Sequence, residues 1–144
     1  MVRRGVERYF DKLGYVSLAE LTLASGRRCD LIALSPRGVF VIIEIKSSVE
    51  DFRADSKWPE YNEFCDQLYF ATHAKVPPEI FPQQAGLIVA DAYGAEVLRE
   101  SETDKLAAAT RKALMLRFAR TASSRLAALG RFAEKSGLAV ELPD

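Results

Sequence analysis

Residues 28–47 constrain the fold more than any other segment, because two apolar runs flank a short Pro-Arg-Gly sequence. Pro36 suits the second position of a type I turn, and Gly38 suits the left-handed position that follows. This combination is typical of a three-residue hairpin loop with a glycine bulge. The segment therefore predicts two antiparallel strands, over residues 28–35 and 39–47, within the core of a sheet.

The register of this hairpin brings charged side chains together at its open end. When Ser35 pairs with Val39, Asp30 lies opposite Glu44, where Cβ atoms are about 4.5–5.5 Å apart. Because side chains alternate along a strand, Lys46 lies on the same face as Glu44. We therefore predict that two carboxylates and a lysine converge at the end of an otherwise apolar strand. A two-residue loop would shift the register and weaken this prediction.

Two adjacent carboxylates repel each other, and a divalent cation between them removes that conflict. Mg²⁺ and Mn²⁺ prefer oxygen ligands and share their coordination with waters and substrate phosphates. A neighbouring lysine can hold the attacking water or offset charge on the phosphate. The pattern predicts a metal-dependent phosphodiester hydrolase with Asp30 and Glu44 as ligands and Lys46 as a catalytic residue. A surface hairpin in which Lys46 merely neutralises the carboxylates is the structural alternative.

The rest of the sequence predicts further strands and helices around this hairpin. Apolar residues at helical spacing indicate a helix over residues 2–13, which ends at Gly14. The other predicted elements are a strand over 15–24, a turn at Ser25-Gly26, a helix over about 57–74, strands over 85–91 and 95–99, and one long or two shorter helices over about 103–137. We therefore predict a mixed sheet flanked by helices, in a single α/β domain of residues 1–144 whose core lies in about 1–100.

Length and composition narrow the class of protein further. The 144 residues suit one domain, and the 49% apolar fraction is typical of a globular protein. No apolar run approaches the roughly 18 residues of a membrane span, and charged residues interrupt the N-terminus, which excludes a secretory signal in this form of the chain. Cys29 and Cys65 are isolated, so we expect reduced, buried thiols in a cytoplasmic protein.

The formal net charge is zero, but the charges are unevenly distributed. Residues 105–144 contain eight Lys or Arg against three Asp or Glu, whereas residues 76–104 contain one against six. A basic C-terminal segment can follow the phosphates of a nucleic acid. The solvated faces of amphipathic helices are the alternative explanation for the same charges.

The order of elements and the placement of the charged residues resemble the PD-(D/E)xK nuclease superfamily. In that superfamily a restriction-endonuclease-like αβββαβ core carries Asp on its second strand and Glu-x-Lys on its third. The resemblance covers about residues 1–92, with one departure: the proline of the superfamily's name is absent, and Cys29 precedes Asp30. It implies a nuclease that depends on Mg²⁺ or Mn²⁺.

Residues 47–72 add a more specific resemblance, to the MmcB-like proteins, a bacterial family regarded as DNA-repair endonucleases on the basis of their motifs. The shared pattern comprises Glu44-Ile45-Lys46-Ser47-Ser48, Asp51, Asp55, Lys57-Trp58, Tyr61, Cys65-Asp66 and Tyr69. This resemblance implies a role in DNA repair, with DNA and other repair proteins as partners.

The superfamily resemblance also implies roles for individual residues. Asp30, Glu44 and the Ile45 carbonyl would hold the metal, and Lys46 would act as a catalytic base or as an electrophile.

Many superfamily members add a catalytic glutamate from the first helix, and Glu7 occupies a matching position. A solvated helix glutamate is the alternative explanation for Glu7. Glu20 on the first strand is a weaker candidate for the same role.

Contacts to DNA are predicted for residues near this site. Arg27, Arg28, Arg53 and Lys57 are predicted to contact phosphates. Tyr61 is predicted to stack on a base or to bind a phosphate, with packing in the core as the alternative.

A second function is a module with nuclease architecture that binds DNA or docks a protein without turnover. The neutral charge and small size are compatible with a module that needs a partner, whereas the complete set of Asp30, Glu44 and Lys46 favours the enzyme. The sequence leaves open whether the chain forms a homodimer.

Overall fold

The computed structural model describes residues 1–138, and a six-stranded mixed sheet lies at its centre. The elements in chain order are α1 (Val2–Lys12), β1 (Val16–Ala19), β2 (Leu31–Leu34), β3 (Phe40–Ile45), α2 (Val49–Ala54), a 3₁₀ segment (Trp58–Phe64), β4 (Gln67–Thr72), a second 3₁₀ turn (Pro78–Ile80), β5 (Gly86–Ala90), β6 (Ala95–Arg99) and α3 (Ala108–Lys135). The predicted mixed α/β architecture with flanking helices and a C-terminal helical extension is confirmed.

The six strands lie side by side in chain order. β1, β2 and β3 form an antiparallel meander, β4 and β5 continue the sheet parallel to β3, and β6 is antiparallel to β5. The carboxyl ends of β3, β4 and β5 therefore meet at one edge of the sheet, which is where the candidate site lies.

The two faces of the sheet bury different sets of side chains. On one face α1 packs the apolar side of its helix, through Val6 and Phe10, against strand residues such as Ile43. On the opposite face α3 packs Leu114 and Phe118, one helical turn apart, against strand side chains and the 3₁₀ segment. Each fully buried side chain of this kind stabilises the fold by about 1.5–3 kcal/mol. The α1 face and the α3 face are named accordingly below.

The predicted hairpin has the predicted register. Leu31 pairs with Ile43 and Leu34 with Phe40, and one further step along the ladder leads to Asp30 and Glu44. The turn forms as expected: Gly38 has a φ of 88°, in the left-handed region, and the Ser35 amide donates a hydrogen bond to the Val39 carbonyl at 2.9 Å.

The helix predicted over about 57–74 is wrong for residues 67–72, which form β4 between β3 and β5. β4 is buried on both faces, with Phe70 packed on the α3 face and Tyr69 and Ala71 on the α1 face. A strand that is apolar on both faces loses the two-residue period by which strands are recognised. The helical signal of this region belongs to α2 and to the 3₁₀ segment.

Two predicted boundaries also change. The strand predicted over 15–24 ends at Ala19, because Glu20 adopts a left-handed φ of 54°, and only one isolated bridge follows, between Thr22 and Arg28. The C-terminal helical region predicted over about 103–137 is a single helix, α3, which begins at Ala108. No helix within residues 1–138 is long and apolar enough to cross a membrane.

Candidate metal and catalytic site

Two carboxylates at the start of β2 and the end of β3 are each held by the backbone of the other strand. Glu44 Oε2 accepts a hydrogen bond from the Asp30 amide at 2.8 Å, and Asp30 Oδ2 accepts one from the Ile45 amide at 2.7 Å. These reciprocal bonds fix both carboxylates at the end of the hairpin. No hydrogen bond from residues 1–138 reaches Asp30 Oδ1 or Glu44 Oε1. Each carboxylate therefore keeps one oxygen free for a ligand.

Both carboxylates resist ionisation where they lie. Glu44 is only 4% exposed, and this burial, together with the charge of Asp30, raises its pKa from 4.5 to about 8. Burial also raises the pKa of Asp30, although the Ile45 amide and the charge of Lys46 act in the opposite direction. A bound cation would remove the cost of ionising the pair. The electrostatics of the pair therefore fit a cation site.

The lysine of the motif lies on the same face and forms an ion pair with a residue beyond α2. Lys46 Nζ donates a hydrogen bond to Asp55 Oδ2 at 2.8 Å, and both side chains are mostly buried. Burial opposes ionisation of Asp55, but the hydrogen bonds from Lys46 and from the Lys57 amide lower its pKa overall. The Lys46 ammonium is thus held beside the two carboxylates by a third carboxylate.

An open cavity of about 560 Å³, here called the small cavity, gives solvent access to this group. It is lined by Arg27, Arg28, Asp30, Glu44, Ile45, Lys46, Asp51, Ala54, Asp55 and Tyr61. Arg27 contacts Glu60 through Nε, so its charge is already paired. The guanidinium of Arg28 is exposed and makes no ion pair with residues 1–138. Of the two arginines, Arg28 has its charge available to a substrate.

The predicted glutamate of the first helix, Glu7, does not lie with Asp30, Glu44 and Lys46. Glu7 forms a 3.7 Å ion pair with Arg3 on α1. It lines neither the small cavity nor a second, larger cavity that lies beside it and shares Asp30 and Ile45 with it. Glu20 shares that neighbouring cavity with Asp30. Within residues 1–138 no three His, Cys, Asp or Glu side chains are placed to hold a metal together. The candidate ligands are therefore two carboxylates and a backbone oxygen of Ile45.

The other residues predicted to contact DNA, Tyr61, Arg53 and Lys57, do not form one group at the small cavity. Tyr61 is 6% exposed, and its hydroxyl donates a hydrogen bond to the Arg28 carbonyl at 3.1 Å. Its ring packs in the core, which favours the packing alternative, although the residue also lines the small cavity. A contact of Tyr61 with DNA stays a prediction. Arg53 and Lys57 are exposed but line neither cavity.

Several supporting residues had no predicted role. Asp51 Oδ2 accepts hydrogen bonds from the amide and hydroxyl of Ser47. The Thr72 hydroxyl, at the end of β4, donates to the Lys46 carbonyl at 2.7 Å. The sequence signal that could have identified Asp51 and Asp55 is their place in the motif that follows β3.

Comparisons with known proteins place this chain in a family. Residues 1–133 match the family model described as DNA repair protein MmcB-like. A solved structure, described as SPO1766 protein of unknown function from Silicibacter pomeroyi, is 44% identical, with a TM-score of 0.86 over 89% of this chain and 88% of that one. No curated protein matches. The chain belongs to the DNA repair protein MmcB-like family.

Proposed function

We propose that this protein is a metal-dependent DNA phosphodiesterase of the PD-(D/E)xK type that acts in DNA repair. The repair role is drawn from the description of the family model. The proposed phosphodiester hydrolysis is inferred from the geometry of Asp30, Glu44 and Lys46. DNA is the substrate, and Mg²⁺ or Mn²⁺ is the metal.

The observation that carries this proposal is the reciprocal bonding of the two carboxylates. Asp30 and Glu44 each accept a hydrogen bond from a backbone amide of the facing strand through one carboxylate oxygen. The other oxygen of each is available to the small cavity. Oxygen donors of this kind suit Mg²⁺ and Mn²⁺. Asp30, Glu44 and the Ile45 carbonyl would hold the ion, which when bound supplies charge stabilisation and an activated water.

Lys46 acts in this proposal as a cation next to the reacting phosphate. Its ammonium is bonded to Asp55 at 2.8 Å, and an ammonium in an ion pair has no lone pair with which to accept a proton. The contact therefore favours the electrophilic role over the role of catalytic base. Asp55 acts in this proposal as a positioning residue, because its carboxylate is bonded to the lysine.

The test is cleavage of a panel of DNA substrates with Mg²⁺ or Mn²⁺: single strands, flaps, branched junctions and plain duplex. We expect metal-dependent cleavage by the wild type and its loss in Glu44→Gln and Lys46→Ala. Glu44→Gln keeps the shape of a buried, protonated glutamate, so the fold should persist, as circular dichroism can verify.

Matched controls are Glu63→Gln and Lys12→Ala, which change exposed residues away from the small cavity. Both should cleave like the wild type. Full activity in Glu44→Gln or Lys46→Ala would refute the assignment. A protein that binds DNA but shows no Mn²⁺ binding by calorimetry would instead be the silent DNA-binding module.

A further inference from the structure

A second, larger cavity of about 1350 Å³ lies beyond the carboxyl ends of β3, β4 and β5, here called the large cavity. Open α/β sheets bind ligands at this edge. Its walls come from Met1–Arg3 at the start of α1, from His73–Lys75 after β4, and from Asp91, Tyr93 and Gly94 in the β5–β6 turn. Asp30 and Ile45 line both cavities. A linear ligand can therefore pass from the large cavity to the candidate metal site.

The β5–β6 turn presents an aromatic ring at the rim of the large cavity. Tyr93 is 79% exposed, which is unusual for a large side chain with a structural role. Its backbone is nevertheless fixed, because Asp91 Oδ1 accepts hydrogen bonds from the Tyr93 amide at 2.8 Å and the Gly94 amide at 3.0 Å. The ring is thus displayed on a well-defined turn without contributing to the core.

The first helix holds this turn in place. A Cβ atom on Gly5 would lie 2.0 Å from the Asp91 carbonyl oxygen and 2.5 Å from that of Gly94, so α1 can approach the turn only because residue 5 is glycine. The wall formed by α1 and the wall that carries Tyr93 are therefore parts of one rigid arrangement.

The lining of the large cavity suits bases better than a run of phosphates. Val2, Val89 and Ala90 make much of it apolar. Its two side-chain cations, Arg3 and Lys75, are outnumbered by four carboxylates, those of Glu20, Asp30, Asp91 and Glu96, which disfavours a run of phosphates. The volume exceeds that of a typical small-molecule pocket, about 300–1000 Å³, and leaves room for more than one nucleotide.

The His73 loop adds a fixed polar edge. His73 Nδ1 accepts a hydrogen bond from the Lys75 amide at 3.2 Å, so Nε2 carries the proton and donates to the Ser47 carbonyl at 2.9 Å. This bond ties the Lys75 loop to the segment that follows Lys46, and so keeps the Lys75 cation close to the end of β3.

We infer that the large cavity binds unpaired bases of a single DNA strand, with Tyr93 as a stacking platform, and that this strand reaches the Asp30–Glu44 site. The inference deepens the proposed function and rests on it for the identity of the strand as substrate. A tyrosine can stack only on a base whose face is free, and a duplex covers those faces except at ends, flaps and gaps. The substrate class is therefore single-stranded or flapped DNA.

The test is fluorescence anisotropy with three labelled probes of equal length: an oligothymidylate, the same backbone with abasic residues, and a blunt duplex. Measurement in EDTA separates binding from any cleavage. We expect the oligothymidylate to bind at least several-fold more tightly than the other two. Tyr93→Ala should weaken that binding by about tenfold, whereas Tyr93→Phe keeps the stacking face and should bind normally.

Leu98→Ala is the matched surface control, since Leu98 is an exposed apolar residue on β6 outside both cavities, and its binding should not change. Equal affinity for the oligothymidylate and the abasic strand, unchanged binding by Tyr93→Ala, or failure to bind any of the probes would overturn the inference. Metal-dependent cleavage without a preference for base-bearing strands in binding would contradict this inference but not the proposed function. Base-dependent binding without any metal-dependent cleavage would contradict the proposed function but would still support the stacking of bases on Tyr93.

Discussion

Glu44 is buried at the end of β3, where ionising its carboxyl group is costly. The native protein therefore holds this side chain in its protonated form. Burial and the neighbouring Asp30 raise the pKa of Glu44 to about 8, so in the absence of metal the native protein retains this proton at pH values where the unfolded chain has released it. Binding of a cation by the pair would displace the proton. Metal affinity at this site should therefore rise with pH up to about 8.

The same pKa shift predicts how stability depends on pH in metal-free buffer. Between about pH 4.5 and pH 8 the native state binds more protons at Glu44 than the unfolded state, so the free energy of unfolding falls as pH rises through this range. The loss should amount to at most about 5 kcal/mol, at about 1.4 kcal/mol for each pH unit between the two pKa values. Glu44→Gln has no proton to lose, so its urea unfolding, measured with EDTA across this range, should lack that part of the slope.

Glu63→Gln removes an exposed carboxylate of the 3₁₀ segment and should keep the wild-type slope. If Glu44→Gln and the wild type lost stability in parallel from pH 4.5 to 8, Glu44 would not be the protonated acid that its burial and the charge of Asp30 predict.

The Asp30–Glu44 contact could be predicted from the sequence because it depends on three turn residues and on the alternation of a strand, which are local rules. The Lys46–Asp55 ion pair could not. It depends on how α2 leaves the end of β3 and on where the chain turns after Ala54, and no local pattern sets that geometry. Glu7 lies on the expected helix, but its side chain is paired with Arg3 and lines neither cavity, which favours the alternative of a solvated helix glutamate.

At the scale of elements, the interior of the sheet was the hardest part to predict. β2 and β3 could be located because a recognisable turn joins them. β4 has no hairpin partner in sequence, since it reaches its neighbours by parallel crossovers, and its apolar side chains point to both faces. Aromatic residues before and within it, among them Trp58, Tyr61 and Tyr69, then matched helical spacing by coincidence.

The packing of α1 on the β5–β6 turn gives a prediction at this scale. Gly5→Ala places a methyl group 2.0 Å from a backbone oxygen, so either α1 or the turn must move. We expect a loss of about 1–3 kcal/mol in the free energy of unfolding, by analogy with overpacked cores. Thermal or urea unfolding measures it, and oligothymidylate binding should weaken as well because the turn carries Tyr93.

Gly130→Ala is the matched control. Gly130 lies within α3, and a Cβ atom there meets nothing within 4 Å, so alanine should stabilise the helix by roughly 0.5–1 kcal/mol. Opposite signs for the two substitutions would identify the close approach as the cause. A neutral Gly5→Ala would show that α1 does not press on the turn.

For the whole molecule, the absence of net charge limits how the proposed DNA substrate can be held. The basic side chains of α3 are offset elsewhere in the chain, and the two cavities offer few unpaired cations. Arg28 lies in the small cavity, and Lys75 and Arg3 lie in the large one, where Arg3 is shared with Glu7. Under the proposed function, the affinity for DNA would come from bases and metal more than from a long row of phosphates.

This distribution predicts a shallow salt dependence. Each phosphate neutralised on a single strand contributes about −0.7 to the slope of log affinity against log salt concentration. With two or three such contacts, we expect a total slope of roughly −1.4 to −2.1 for oligothymidylate, measured by anisotropy in EDTA. Arg28→Ala should reduce the steepness by about 0.7. Arg37→Ala, in the β2–β3 turn at the opposite end of the sheet, should leave it unchanged. A much steeper slope, or equal effects of the two substitutions, would mean that the strand follows a basic surface elsewhere and not the path from Arg28 to Lys75.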